Sequence, residues 1–567
     1  MSPYNGDAYL DFPQLHQWCV SLVEAFPEWF ELTVLDHTVH QRPILLITVG
    51  ARGESEHDPR DDRPGFWLDA GTHAAEWTGV MATLYALTQW AQKLQAGDAA
   101  TVQWFSTHTA YVMPCISVDG YQALHEGAPF MRSTLRPPNE GAVRAGLEPE
   151  DLDGDGVVRW MRWKHPAGPF VADEHAPGWI RARRLDDDPS EACFVCPEGS
   201  FLQWDGHQWV LAPLLYGLDL NRNFPAHWAP FGMFGQHGGP HPLSEAESRS
   251  VVQAFAARPR IGAGLTLHTF TGCLLTQPYR KDCPLKGVDV RLMRRLANQM
   301  VEGTGYRVHA TYPEFAYDPD VNVVGVWSDS MSTVFGVPAY TFELWDPYSF
   351  CEVEADQYRV EPAQAFIDPV PEMVSQMITR FQQVESEVPT FAPWQPYDHP
   401  QLGPVEIGGL DHMRTIRNPP VSELPAECAK AFTVIERMRK AIPEVVPQVQ
   451  VSELPGGLRR VELCLENLGA LRTSGLNHGE GLVNTPPVSA ELICGEGVTR
   501  IEGDQAQALD HLHGWLSSQL AGAGHGALPG LTGAGHRAVA RWIVQGDGPL
   551  EIRWSGGRGG RGVCSVS

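Results

Sequence analysis

An α/β fold with a mixed, mainly parallel sheet flanked by helices, followed by a small β-sandwich, is the fold class this chain predicts. Three observations carry it. Over most of the chain, short apolar strands alternate with helical periodicities, the pattern of a parallel sheet covered on both faces. Towards the carboxyl end the period drops to two. There Val461, Leu463 and Leu465 alternate with Glu462, Cys464 and Glu466, and Leu550, Ile552 and Trp554 with Glu551, Arg553 and Ser555. Gly- and Pro-rich turns separate these segments, as in an antiparallel sandwich. Finally, 567 residues exceed what one core ordinarily holds, so two or more domains are expected.

The first element is a helix. Within 12–31, Leu15, Trp18, Cys19, Leu22, Val23 and Phe26 recur at helical spacing. The β-like runs Phe30–Leu35, Ile44–Val49 and Phe66–Ala70 follow, then an apolar helix, Gly79 to Leu94, and a strand, Thr109–Pro114. Residues 249–257 and 288–303 read as further helices, and Gly264–Thr269 and Pro338–Trp345 as β-like runs. Between about 139 and 213 lies a polar, loop-rich stretch that reads as an insertion. Residues 384–398, rich in proline, read as a linker between a domain spanning 1–395 and a β-rich domain spanning 400–567. A helix at roughly 426–441 follows that linker, and Gly556 to Gly562 reads as a turn and terminus.

Composition narrows the function classes. A net charge of −26 argues against nucleic acid, because a phosphate backbone needs a basic surface. No run of about 18 apolar residues predicts a membrane span. The amino end lacks the basic and apolar regions of a secretory signal. Eleven cysteines, odd in number and scattered, do not resemble a disulfide framework. Cys193 and Cys196 form a single CxxC, which without a second pair reads as structural. The cytoplasm is the expected compartment.

The chemistry is concentrated in four short segments. In Gly71-Thr72-His73-Ala74-Ala75-Glu76-Trp77, a histidine and a glutamate three apart at a turn or helix start can face one metal ion. Imidazole nitrogen and carboxylate oxygen suit zinc, and a catalytic zinc takes three protein ligands and keeps one position open. The tetrapeptide alone is common by chance. The other segments are Gly217-Leu-Asp219-Leu-Asn221-Arg222-Asn-Phe224, the run Gly264–Thr269 containing His268, and Pro338–Trp345, whose one carboxylate is Glu343. Taken singly, His268 could be a satisfied core histidine, Glu343 a strand carboxylate paired with an arginine, and Arg222 a surface ion pair. Read as a strand, Asp219 and Asn221 would point to one face.

In this order the four segments resemble the zinc carboxypeptidase family, the carboxypeptidase A-like enzymes, over roughly residues 8–390. The resemblance implies one zinc held by His73, Glu76 and His268, with Glu343 as general base. It implies that Asp219 fixes the tautomer of His73, and that Asn221 and Arg222 receive the substrate's free α-carboxylate. Arg132 resembles the oxyanion-stabilising arginine, with Arg136 a nearby competitor. Tyr317 is placed as the tyrosine that caps bound substrate, with Tyr312 the alternative. Asp329 resembles a structural aspartate at the pocket floor, and Ser328 then occupies the position that sets side-chain preference. Ala75 stands where digestive members carry an arginine, so a contact further along the substrate is expected to be missing. The catalytic pattern begins almost at once, which implies an enzyme made active without an inhibitory pro-segment.

The function this implies is zinc-dependent hydrolysis of the C-terminal peptide bond of peptides bearing a free carboxylate. Two alternatives share parts of the pattern. A zinc deacylase or amidohydrolase of N-acyl amino acids uses a similar HxxE…H set and a DLNR-like segment. A catalytically silent peptide-binding protein would keep the fold but lose a ligand or the base. Separately, Asp151, Asp153, Asp155 and Gly156 match the first half of a calcium loop, but position 12 falls on Arg162, where a glutamate is required. An Asx-and-glycine turn is the plainer reading, with Ca2+ the alternative. Beyond residue 400 no catalytic group is expected; His478, His511, His513 and His525 read as solvated or capping.

Overall fold

A computed structural model of the protein describes residues 2–53, 58–136, 144–232, 235–315, 322–353, 371–386, 388–517 and 535–566. Its centre is an eight-stranded sheet of β1 (Phe30–His37), β2 (Pro43–Val49), β3 (Gly65–Ala70), β4 (Thr109–Met113), β5 (Ile261–Thr269), β6 (Cys273–Thr276), β7 (Arg307–Ala310) and β8 (Ala339–Leu344). The strand order is β1-β2-β4-β3-β5-β8-β6-β7. Strands β4, β3, β5 and β8 run parallel through the middle, while β1 with β2, β2 with β4, and β8 with β6 pair antiparallel. Every residue of β3, β4 and β5 is buried, as both-face coverage requires.

Alternation along the strands builds two cores. Phe66, Leu68 and Ala70 of β3 join Leu265 and Leu267 of β5 on one face, against helices α1 (Phe12–Ala25) and α2 (Trp77–Gln95). Trp67 and Ile261 point the other way, against the helices Ala246–Ala256 and Trp327–Thr333. Helix α1 ends at Ala25 rather than running on to 31, because Pro27 cannot continue the ladder and restricts the residue before it. Helix α2 lies close on β5: a Cβ at Gly79 would sit 2.9 Å from the Leu267 carbonyl oxygen, so glycine permits the approach.

The stretch 384–398 is not a free linker. Phe391–His399 is a strand that pairs with Gly403–Leu410, and the latter pairs with Trp160–Lys164. With Cys193–Pro197, Phe170–Ala172 and Ile180–Ala182 they make a six-stranded sheet, so part of the loop-rich stretch is ordered by chain arriving more than 200 residues later. The helix Leu424–Arg439 buries Leu424, Cys428, Ala431, Val434, Ile435 and Met438 in the first core, beside α2. That core takes in Ile442 and, further along the chain, Ala470, Leu471, Leu476 and Leu516, while the core of the carboxyl-terminal sheets begins at Val445.

The last part of the chain forms two four-stranded antiparallel sheets. Val461, Leu463 and Leu465 of one sheet meet Val488, Leu492 and Ile552 of the other in a common core. No helix among the described residues is long and apolar enough to cross a membrane. Gly556 to Gly562, expected to be a turn and terminus, carries a buried clamp. Arg558 is 1% exposed and donates to the backbone carbonyls of Pro259, Ile261, Phe335 and Ser474. Burial lowers its pKa to about 9, so the guanidinium stays charged at neutral pH.

Arg558→Ala strips these carbonyls of a shared donor. An orphaned buried polar group costs about 1–3 kcal/mol, so a loss of about 3 kcal/mol or more in unfolding free energy is expected. A urea titration of the purified variant measures it; an unchanged midpoint would show that the clamp carries no stability.

Candidate metal centre

The centre is assembled from the carboxyl end of β3 outwards. Gly71, at φ +69°, turns the chain where a Cβ would meet Cys115, and the loop to Trp77 carries His73 and Glu76. Three hydrogen bonds shape that loop. The Ala74 amide donates to the Arg132 carbonyl at 2.8 Å, and Ser117 Oγ and Ser133 Oγ both donate to the Thr72 carbonyl, at 2.7 and 3.0 Å. Ser133 Oγ also accepts from the Leu220 amide at 3.0 Å. One serine therefore ties the His73–Glu76 loop, the Arg132 loop and the Asp219 turn into a single unit.

Within this frame His73 Nδ1 lies 2.9 Å from Glu76 Oε1, and His268 Nδ1, from the end of β5, lies 2.9 Å from Glu76 Oε2 and 3.1 Å from His73 Nδ1. All three side chains are buried, and their donor atoms fall within 4.8 Å of one another. His73 Nε2 bonds Asp219 Oδ1 at 3.1 Å, which leaves Nδ1 to face the other donors. The donor set fits zinc. Two ring nitrogens and a carboxylate edge packed at about 3 Å approach the edge of a tetrahedron built on bonds of about 2.0–2.1 Å. His268 is also not a satisfied core histidine, for its Nε2 is buried without a hydrogen-bond partner.

Glu343 follows from register. In the parallel pairing of β5 with β8, His268 stands opposite Glu343, so both side chains leave the sheet on the same face. Among the described residues Glu343 makes no ion pair, so it is not the arginine-paired strand carboxylate that its sequence alone allowed. Burial and the neighbouring charge of Glu76 push its pKa up to about 7. Burial acts in the same direction on Glu76, but His73 and His268 outweigh it and hold that carboxyl well below the usual range.

The segment 217–224 departs from the strand expected of it. Leu220–Arg222 is a single 3₁₀ turn, and Asp219 caps it by accepting from the Asn221 amide at 2.9 Å. Burial disfavours the Asp219 charge, but Arg222, Arg132 and His73 hold its pKa well below the carboxylate range. Asn221 Oδ1 accepts from the Trp327 amide at 2.9 Å, which leaves its Nδ2 to donate. Arg222 stacks over Phe231 at 4.8 Å, donates from Nη1 to the Asn221 carbonyl, and has Nε buried without a hydrogen-bond partner. At the expected pocket floor, Ser328 Oγ bonds Tyr279 and lies 2.9 Å from Thr341 Oγ1, while Asp329 is held by Gln277 and His227.

Of the two competing arginines, Arg132 reaches the centre, 3.1 Å from Glu76 and 3.4 Å from Asp219, whereas Arg136 is turned away onto Glu245 and Ser244. Tyr317 and His525 lie outside the described residues. Asp155 is occupied by Arg159 at 2.6 Å, and Asp151 accepts from the Gly154 and Gly156 amides, the hydrogen bonding of an Asx-and-glycine turn. Asp151 and Asp153 do come within 4.8 Å of Glu198, but Arg162, at the twelfth loop position, pairs with Glu406. Cys193 and Cys196 are both free thiols.

Two residues at the centre come from beyond 400, where no catalytic contribution was expected. Arg417 Nη1 lies 3.7 Å from Glu76 Oε1, with its guanidinium over the Phe130 and Phe270 rings. Asn418 accepts from the Thr78 amide at 3.0 Å and donates to the Ala75 carbonyl at 2.9 Å, capping α2 in place of a local side chain. Arg-Asn-Pro-Pro is an unremarkable run in sequence, and nothing in it signals a long-range contact with the HxxE turn.

Asp219→Asn keeps the size of the side chain and removes its charge. Zinc affinity is expected to fall by roughly 10–100-fold, the usual cost of losing the partner of a ligand histidine. Competition with a chelator measures it, and unchanged affinity would detach Asp219 from the metal site.

Comparison with known proteins places a model of the zinc carboxypeptidases on residues 15–373 and a model of a domain of unknown function on residues 445–567. The chain is 22% identical over 316 residues to carboxypeptidase A2 of Rattus norvegicus, covering 54% of this chain and 56% of that protein. It is 27% identical over 135 residues to zinc carboxypeptidase A 1 of Drosophila melanogaster, covering 24% and 30%. The chain thus spans about a third to about half of the length of these relatives. Among solved structures, thrombin activatable fibrinolysis inhibitor is similar with a TM-score of 0.44 and 13% identity, over 78% of this chain and 76% of that one. Carboxypeptidase A from Helicoverpa armigera gives 0.40 and 16%, over 66% and 73%.

Proposed function

Because this chain belongs to the zinc carboxypeptidase family, we propose that it is a metal-dependent carboxypeptidase that removes a C-terminal residue from peptides. The observation that carries the reading is the convergence of His73, Glu76 and His268 within 4.8 Å, with Glu343 in register with His268 on the neighbouring strand. Peptides with a free C-terminal carboxylate are the substrates in this reading, and the cytoplasm is the compartment.

His73, Glu76 and His268 would hold the zinc. When bound, zinc supplies Lewis-acid polarisation of a carbonyl and lowers the pKa of a water towards neutrality. The chain's own groups do the rest. Glu343 takes a proton from the attacking water and returns it to the departing amine, a transfer that a carboxyl poised near neutrality performs in both directions. Arg132, already beside Glu76 and Asp219, brings positive charge to the developing oxyanion. Asn221 Nδ2 and the guanidinium of Arg222 receive the terminal carboxylate, a task for which a planar fork is suited.

Glu343→Gln should leave zinc content and KM nearly intact while lowering kcat by several orders of magnitude. A large rise in KM with unchanged kcat would place Glu343 in substrate binding instead. The pH dependence has a definite sign. The base must be ionised, and its pKa is raised to about 7, so kcat/KM should fall as the pH drops through that region. A profile flat from pH 8 to 5 would exclude Glu343 as the base.

End-cleavage rests on Arg222 and Asn221. A buried cation left unpaired by an amidated terminus costs enough for a hundredfold or greater discrimination. A blocked dipeptide should therefore be cut at least a hundredfold faster than its C-terminal amide, and Arg222→Ala should raise KM and weaken that ratio with zinc retained. Equal rates on acid and amide, or turnover of N-acyl amino acids alone, would replace the carboxypeptidase by an endopeptidase or a deacylase.

A further inference from the structure

Beside the metal centre lies a cavity of about 390 Å³ that the residues assigned above do not use. Its walls come from three separate parts of the chain. Trp77, next to the ligand Glu76, and Phe130, two residues before Arg132, form the side towards the centre. Val158 and Trp160 come from the insertion, and Met413 and Arg417 from the segment that caps α2. The lining is mainly apolar. Its charged groups are largely engaged within the wall: Arg414 pairs with Asp411 at 3.0 Å and lies over Trp77 at 5.5 Å, and Arg159 pairs with Asp155 at 2.6 Å. One wall group, His125, keeps Nε2 buried without a hydrogen-bond partner, so the wall can also take a polar atom of its guest.

The cavity joins the centre through Arg417, whose guanidinium is at once 3.7 Å from Glu76, over Phe130 and Phe270, and part of the cavity wall. It is separate from the terminal-carboxylate side, since Asp219, Asn221, Arg222, Ser328 and Asp329 are absent from its lining. A substrate whose last residue sits against Asn221 and Arg222 must send the rest of its chain past the zinc ligands and away from that pocket. Trp77 and Arg417 border the space on offer there. At about 300 Å³ and above, a cavity is large enough for specific recognition of a small group.

We propose that this cavity receives the acyl side of the substrate, upstream of the scissile bond, and selects for an uncharged aromatic or large aliphatic group there. The inference rests on the carboxypeptidase reading and adds a second point of selection to it. The insertion and the 411–417 segment, which lie outside the four catalytic motifs, are the parts of the chain that create this preference.

The test uses the full-length zinc enzyme and three substrates with a common C-terminal phenylalanine: acetyl-Gly-Phe, acetyl-Phe-Phe and benzyloxycarbonyl-Gly-Phe. Burial of even one extra methylene in an apolar pocket is worth about 10–200-fold in kcat/KM, so at least one enlarged substrate should exceed acetyl-Gly-Phe tenfold or more. Val158→Trp and Met413→Trp fill the cavity from opposite walls without touching the metal site. Each should abolish that gain and leave hydrolysis of acetyl-Gly-Phe within about twofold. Two variants are used so that misfolding of one, seen by circular dichroism and zinc content, leaves the other to decide. A wild type that cleaves all three substrates equally overturns the cavity assignment and spares the carboxypeptidase reading. So does a folded, zinc-loaded variant that keeps the gain. A zinc-loaded wild type that cleaves none of the three overturns both.

Discussion

A carboxylate taken out of water costs several kcal/mol unless cations or hydrogen-bond donors meet it, and Glu76, 2% exposed, is such a carboxylate. Five groups meet it: His73 from its own loop, His268 and the Thr269 amide from the end of β5, Arg132, and Arg417 from far down the chain. They arrive on four different pieces of backbone. The requirement to surround one buried charge therefore fixes the relative positions of the sheet, the HxxE loop and the segment that caps α2. A divalent cation completes the same arrangement, since its charge would offset what the two histidines and the arginines now balance.

Two carboxylates share this small volume, and their surroundings drive them apart. Glu76 is held ionised by the imidazoles, whereas Glu343, half-buried on the neighbouring strand, is pushed up to about 7 by burial and by the charge of Glu76 itself. In the proposed reading, a separation of this kind would divide labour between a permanent ligand and a proton carrier. It depends on strand register. A one-residue slip of β8 against β5 would turn Glu343 to the opposite face, and the hydrophobic alternation of Tyr340, Phe342 and Leu344, all buried in the first core, resists that slip.

The remaining parts of the chain are not appended to this centre but wrapped around it. The insertion and strand Phe391–His399 build a sheet together, the 411–418 segment touches the HxxE turn, and the helix Leu424–Arg439 closes over α2. The terminal sandwich is then locked to the amino end of β5 by Arg558. Chain remote in sequence thus forms walls next to His73, Glu76 and His268.

The sequence by itself determined the elements and pointed to the residues for which a chemistry is proposed. Period-two and helical patterns located the central strands and helices because they are local consequences of which face is buried. His73, Glu76, His268, Glu343, Asp219 and Asn221–Arg222 were legible because each sits in a short segment of recognisable type and order. What only the tertiary structure decided is everything that depends on two distant segments meeting. Arg132 was preferred to Arg136 by resemblance alone, and the fold separates them by turning Arg132 onto Glu76 and Arg136 onto Glu245. Asp219 was expected in a strand and sits at the cap of a turn, because its own carboxylate takes the Asn221 amide. Residues 384–398 looked like a linker because their partner strand lies in the insertion. Arg417 and Asn418 gave no signal at all. Side-chain type and spacing report the backbone nearby, whereas a contact between segments hundreds of residues apart is set by the path of the whole fold.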